Sequence, residues 1–87
     1  MPDEDPIERW SEEHYFAQLA RILRRRIRDG EFQPGMPLPS ESHLMQEYDL
    51  SRWVIRRTLG VLAGEGYTRT VPKRGTVVRP REDWPEG

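Results

Sequence analysis

Arg52 and Arg56 lie four residues apart in the stretch Ser51–Leu59, SRWVIRRTL. At helical spacing both guanidiniums share one face. A guanidinium fork pairs bidentately with guanine O6 and N7, and equally well with a phosphate. Ser51 opens the stretch, where its hydroxyl and the free amides of a first helical turn can bond a phosphate. Arg57 follows as a phosphate neighbour. Further along, Pro72-Lys73-Arg74-Gly75 sets two more cations at a turn, and a narrow minor groove attracts arginine. Any one of these charge runs, taken alone, reads more simply as a solvated face. Their arrangement along the chain is what argues for contact with a polyanion.

Two apolar residues interrupt the basic stretch. Trp53 admits packing against a neighbouring helix or exposure on sugar or base. Its place two residues before Ile55, outside the apolar repeat, favours exposure. Val54 can touch a thymine methyl or pack at the helix edge.

Three helices and a hairpin are needed to position these groups. Ser11 can cap a first helix, with Glu12 and Glu13 in its first turn. Apolar residues then recur at Phe16, Ala20, Leu23 and Ile27, and alongside at Tyr15, Leu19 and Ile22, a broad buried face at helical period. Gly30 ends that helix. Met36-Pro37-Leu38-Pro39 cannot be helix interior and is at most a short edge strand. Ser40 caps a second, short helix carrying Leu44, Met45 and Tyr48. Asp49 and Leu50 form a tight turn. Ser51 then caps a third helix whose inward face is Ile55, Thr58, Leu59 and Leu62, and Gly66 closes it. Tyr67–Val71 and Thr76–Arg79 are β-prone runs around the basic turn, hence a hairpin. Two helices joined by a few residues make a helix-turn-helix, and the hairpin adds a wing. The expected fold is mainly α with a small β part: three helices and a two- to three-stranded antiparallel sheet.

Charge is distributed in the same sense. The 87 residues carry a net charge of −1, which on its face disfavours nucleic acid. Residues 1–14, however, hold six acids and one arginine, and residues 80–87 hold three acids and one arginine. Residues 15–79 hold twelve Lys/Arg against six Asp/Glu, and this local excess is what a polyanion meets. The expected organisation is a disordered acidic segment over 1–11, one domain over 12–79, and an acidic tail over 80–87. With no cysteine there is no disulfide framework or thiolate metal site. The acidic N-terminus lacks the pattern of a signal peptide, and no apolar run is long enough to span a membrane; a cytoplasmic protein is expected.

The segments LPSESHLMQEYDLSRWVIRRTLGVLAGEG and VPKRGTVV, preceded by Gly30-Glu31-Phe32-Gln33-Pro34-Gly35, resemble the DNA-binding domain of the GntR family of bacterial transcription regulators. The resemblance covers about residues 14–79. It implies a winged helix-turn-helix that binds double-stranded operator DNA, with helix 51–65 in the major groove and wing 72–76 at the minor groove. By position it implies that Ser51, Arg52 and Arg56 contact phosphates and bases and that Arg74 and Gly75 belong to the wing at the minor groove; with Ser40, Trp53, Val54, Arg57 and Lys73 these make up the expected DNA-contacting set. Four positions depart from the family's pattern. Trp53 and Val54 stand where polar or small residues are usual, Thr58 replaces a small core alanine, and Lys73 replaces a wing glycine.

The expected function is sequence-specific regulation of transcription, in the sense of a repressor. The alternative is a winged-helix protein-interaction module using the Trp53/Val54 surface. No nucleophile–base pair or phosphate-cradling glycine loop occurs, so an enzyme is not expected. His14 and His43 share no motif, and neither a metal nor a cofactor is expected. A weak homodimer on half-sites about 34 Å apart fits the implied docking mode. Most of the family carries a C-terminal effector domain; an effector ligand is expected only with such a domain, and a stand-alone regulator is slightly favoured.

Overall fold

A computed structural model describes residues 7–10 and 13–85. Its elements follow the order α1 (Tyr15–Arg28), α2 (Glu41–Tyr48), α3 (Arg52–Glu65), β1 (Thr68–Val71), β2 (Gly75–Val78) and a 3-10 turn (Arg81–Asp83). The three helices pack around Leu19, Leu23 and Ile27 of α1, Leu44 of α2, and Ile55 and Leu62 of α3, all fully buried. This is the apolar repeat of the sequence folded onto one core. Thr58 is buried with them. Its hydroxyl donates to Val54 O at 2.8 Å, so a polar residue at this core position is satisfied by its own helix.

Caps fix where the helices begin and end. Ser40 Oγ accepts from His43 N, and Ser51 Oγ accepts from Val54 N, each meeting one of the donors a helix start leaves unpaired. Helix α1 begins at Tyr15 with His14 in the cap position and no side-chain cap; Ser11 and Glu12, expected in its cap and first turn, lie outside the described residues. Helix α3 ends on Gly66 at φ 98°. A Cβ there would stand 2.6 Å from Asp83 O, so backbone conformation and close approach both require glycine.

The hairpin pairs β1 with β2 antiparallel, Thr68 opposite Val78 and Val71 opposite Gly75. The edge strand expected near Met36–Pro39 is a single bridge, Pro37 to Val77. Pro37 and Pro39 have no N–H, so the pairing runs through their neighbours: Leu38 N donates to Thr76 O, and Val78 N donates to Met36 O.

Near both ends, described residues of the expected tails pack on the core, while residues 1–6, 11 and 86–87 of those tails lie outside the described residues. Residues 7–10, inside the segment expected to be disordered, are tied to the core. Ile7 packs against it, and the buried Gln18 amide bonds the N–H and the carbonyl of Glu8. Arg9 donates to Tyr48 O and Asp49 O, closing the C-terminal end of α2. At the other end, Trp84 is 4% exposed. Its indole N–H donates to Arg79 O at 2.9 Å, and its ring meets Tyr67 at 5.6 Å. The stretch expected as an acidic tail therefore supplies a core residue.

Candidate nucleic-acid interface

Helix α3 presents two edges outside its buried face. One borders the hairpin, where a groove is lined by Ser40, Glu41, Arg56, Arg74 and Gly75. The other borders the start of α1, where a cleft is lined by His14, Tyr15, Phe16, Trp53, Val54 and Arg57. Of the sequence-expected residues, Ser40, Arg56, Arg74 and Gly75 line the first surface and Trp53, Val54 and Arg57 the second, while Arg52 faces a shallow recess with Ser42, Met45 and Asp49 of α2 and its end, and Ser51 and Lys73 line neither.

Glu41 organises the first edge. Arg52 Nη1 donates to Glu41 Oε1 at 2.7 Å, and Arg56 Nε donates to the same carboxylate at 3.2 Å. Burial pushes the Glu41 carboxyl up, but the bonds from Arg52 and Arg56 outweigh it and hold it below its usual range. The carboxylate therefore stays ionised and keeps both guanidiniums on one side of α3. The sequence shows Glu41 only as an acid in the first turn behind the Ser40 cap. The i,i+4 relation of the arginines was visible, but the contact joins α2 to α3.

Ser40 and Ser51 accept backbone N–H groups as caps and remain exposed. A capping hydroxyl still holds a proton to donate, so capping and a phosphate contact are compatible.

At the wing tip, Arg74 N donates to Val71 O at 3.0 Å, closing the turn. Pro72 takes its second position. Lys73 takes the third at φ 68°, the left-handed conformation for which glycine is the ordinary residue. Gly75 follows at φ 91°. The Lys73 and Arg74 side chains are exposed and pair with nothing among the described residues.

The arginines of α1 behave differently. Arg21 pairs with Glu13, Arg24 with Glu65, and Arg26 with Glu31 and Glu47. Arg28 donates to Tyr67 OH and Pro85 O. Arg26 is held protonated chiefly by its bond to Glu31, while Glu31 is held below the usual carboxylate range by the same bond. These cations brace α1 against its neighbours.

At the second edge, Trp53 is 67% exposed, which settles its two readings in favour of exposure. Val54 is half-buried and packs against the core. Arg57 lies over the Phe16 ring at 4.5 Å, a cation–π contact, and the His14 ring stacks on Phe16 at 5.5 Å. The apolar repeat alone assigns Phe16 to the buried face of α1, and no motif draws attention to His14. Their place beside α3 depends on how α1 crosses it, which periodicity does not report.

The sequence pattern of the family described as "Bacterial regulatory proteins, gntR family" matches residues 16–78. Among curated proteins, the chain is 38% identical over 63 residues to the HTH-type transcriptional repressor NagR of Bacillus subtilis, covering 72% of this chain and 26% of NagR. It is 36% identical over 67 residues to the galactonate operon transcriptional repressor of Escherichia coli, covering 77% of this chain and 29% of that protein. The chain thus spans under a third of the length of these relatives. Among solved structures, YtrA from Sulfolobus acidocaldarius, a GntR-family transcription factor, superposes with a TM-score of 0.78 at 28% identity, over 86% of this chain and 79% of that one. The DNA-binding domain of AraR in complex with operator ORR3 superposes with a TM-score of 0.74 at 29% identity, over 87% of this chain and 92% of that one. Three helices and a two-stranded antiparallel sheet in this order are the winged helix-turn-helix of that group.

Proposed function

This chain belongs to the gntR family of bacterial regulatory proteins, and on that premise we propose that it binds double-stranded operator DNA sequence-specifically and acts as a transcriptional repressor. The carrying observation is the pair Arg52 and Arg56, held on the exposed side of α3 by one carboxylate. A helix fits the major groove, and two pre-oriented guanidinium forks suit guanine edges there. Ser40, Ser51 and Arg57 serve phosphates. Lys73, Arg74 and Gly75 serve the adjacent minor groove, where unpaired cations gain most. The repressor assignment follows the similarity to NagR and the galactonate operon protein, both transcriptional repressors. DNA binding follows the AraR domain seen with its operator.

The protein acts in the cytoplasm, as a binding protein rather than an enzyme. It engages two half-sites about one helical turn apart as a weak homodimer. Among the described residues no helix is long and apolar enough to cross a membrane.

Selection of bound sites from a random duplex pool, followed by titration across salt, tests the reading. A consensus should emerge, and log affinity should fall linearly with log salt. Absence of binding to any duplex even at low salt, or recovery of sequences with no consensus, defeats it.

A further inference from the structure

Trp53 is a large apolar side chain left mostly in water, at 67% exposure. A tryptophan so placed forgoes burial that its size ordinarily secures. Its neighbours along α3 are cations: Arg52 before it, Arg56 and Arg57 after it. Arg57 is fixed over Phe16, so the cleft beside the indole has a cationic wall. Val54, the other apolar residue of the stretch, packs against the core, and its N–H is bonded to Ser51 Oγ. Of the two, Trp53 is the one with surface to give.

An apolar surface with a guanidinium beside it, on a helix that carries two more, matches a partner that is anionic around an apolar spot. The major groove of DNA is such a partner. Its edges carry hydrogen-bonding groups, and its apolar group is the C5-methyl of thymine. We propose that Trp53 determines specificity for thymine: the indole lies against thymine C5-methyl groups in the major groove, flanked by the contacts of Arg52 and Arg56. The inference rests on α3 being the DNA-contacting helix. It adds which base, and which group on that base, this chain's own tryptophan reads.

Deoxyuridine differs from thymidine by that methyl alone. The test takes the duplex selected by the full chain and replaces its thymines one at a time by deoxyuridine. Wild-type protein should lose about fourfold in affinity at one or two positions per half-site, the loss expected for one apolar carbon group. Trp53→Ala should bind the thymine and uracil duplexes alike. Trp53→Gln, which keeps a long side chain, should do the same. Because the residue is exposed, both variants should keep the wild-type circular dichroism spectrum and melting temperature.

If wild type binds uracil and thymine duplexes equally, the proposal is overturned, even where Trp53→Ala weakens binding by loss of a sugar contact. It is overturned too if Trp53→Ala keeps the uracil penalty. A DNA-free dimer in sedimentation that Trp53→Ala abolishes, with no uracil effect, would assign the indole to a second copy of this chain instead. Specific binding without a uracil effect leaves the DNA-binding reading intact; absence of any duplex binding removes both.

Discussion

Glu41 places a negative charge between two arginines on a surface read as meeting phosphates, and its effects there oppose each other. It repels the polyanion, and it holds Arg52 and Arg56 in one geometry. Removing its charge while keeping its shape separates the two. Glu41→Gln should strengthen binding to arbitrary duplex DNA, because one repulsive charge is gone. It should lower the ratio of selected-site to arbitrary-site affinity by about tenfold, because two guanidinium forks lose their common anchor and each well-made bidentate pair discriminates by roughly 1–3 kcal/mol. Fluorescence anisotropy on the two duplexes measures both terms. A ratio that stays at the wild-type value would show that Glu41 does not orient the pair. At this scale the sequence was partly legible. The spacing of Arg52 and Arg56 gave their shared face, and the break in the apolar repeat gave Trp53 its exposure. The carboxylate anchor and the Phe16–Arg57 contact were not legible, because each joins residues on different helices.

The wing is the element where sequence and conformation conflict. Lys73 holds φ 68° in a turn position suited to glycine, and a Cβ in the left-handed region costs about 1–2 kcal/mol. Lys73→Gly should therefore raise the melting temperature, by a stabilisation of up to about 1 kcal/mol once glycine's greater freedom in the unfolded chain is counted. The same change should make the salt dependence of DNA binding shallower by about one unit of slope, as one phosphate-neutralising cation is lost. A variant that gains stability and keeps the wild-type slope would place Lys73 outside the interface. The hairpin itself was legible from Pro72 and Gly75 between two β-prone runs. So were the starts of α2 and α3, because Ser40 and Ser51 cap them locally. The start of α1 was not: His14 holds the cap position without a side-chain bond.

The whole molecule is small, and its core depends on residues near both ends. Trp84 is buried against Tyr67 and bonded to Arg79 O, so Trp84→Ala should cost about 3 kcal/mol, a large share of a small domain's stability. Chemical denaturation measures this; a loss below about 1 kcal/mol would make the C-terminal strap an ornament of the fold. Neither this strap nor the Arg9 bonds to the end of α2 could be read from the sequence, since acids and prolines dominate both ends and their few anchors pack against distant elements.

Acid should destabilise the fold in a defined window. Glu31 and Glu41 are held ionised below their ordinary value of 4.5. A carboxyl whose folded pKa is depressed contributes stability above the unfolded pKa and loses it as pH falls through the folded one. The melting temperature should be flat above about pH 5 and fall below about 4.5. A melting temperature that stays constant down to pH 3 would mean that these ion pairs contribute nothing to the folded state.

The surface itself is mapped most directly by backbone amide shifts on titration with the selected duplex. Shifts concentrated at Ser40–Glu41, Ser51–Arg57 and Lys73–Gly75 are the predicted result. Shifts concentrated instead along Arg21–Arg28 of α1, with Ser51–Arg57 unmoved, would contradict the assignment of α3 as the helix that reads DNA.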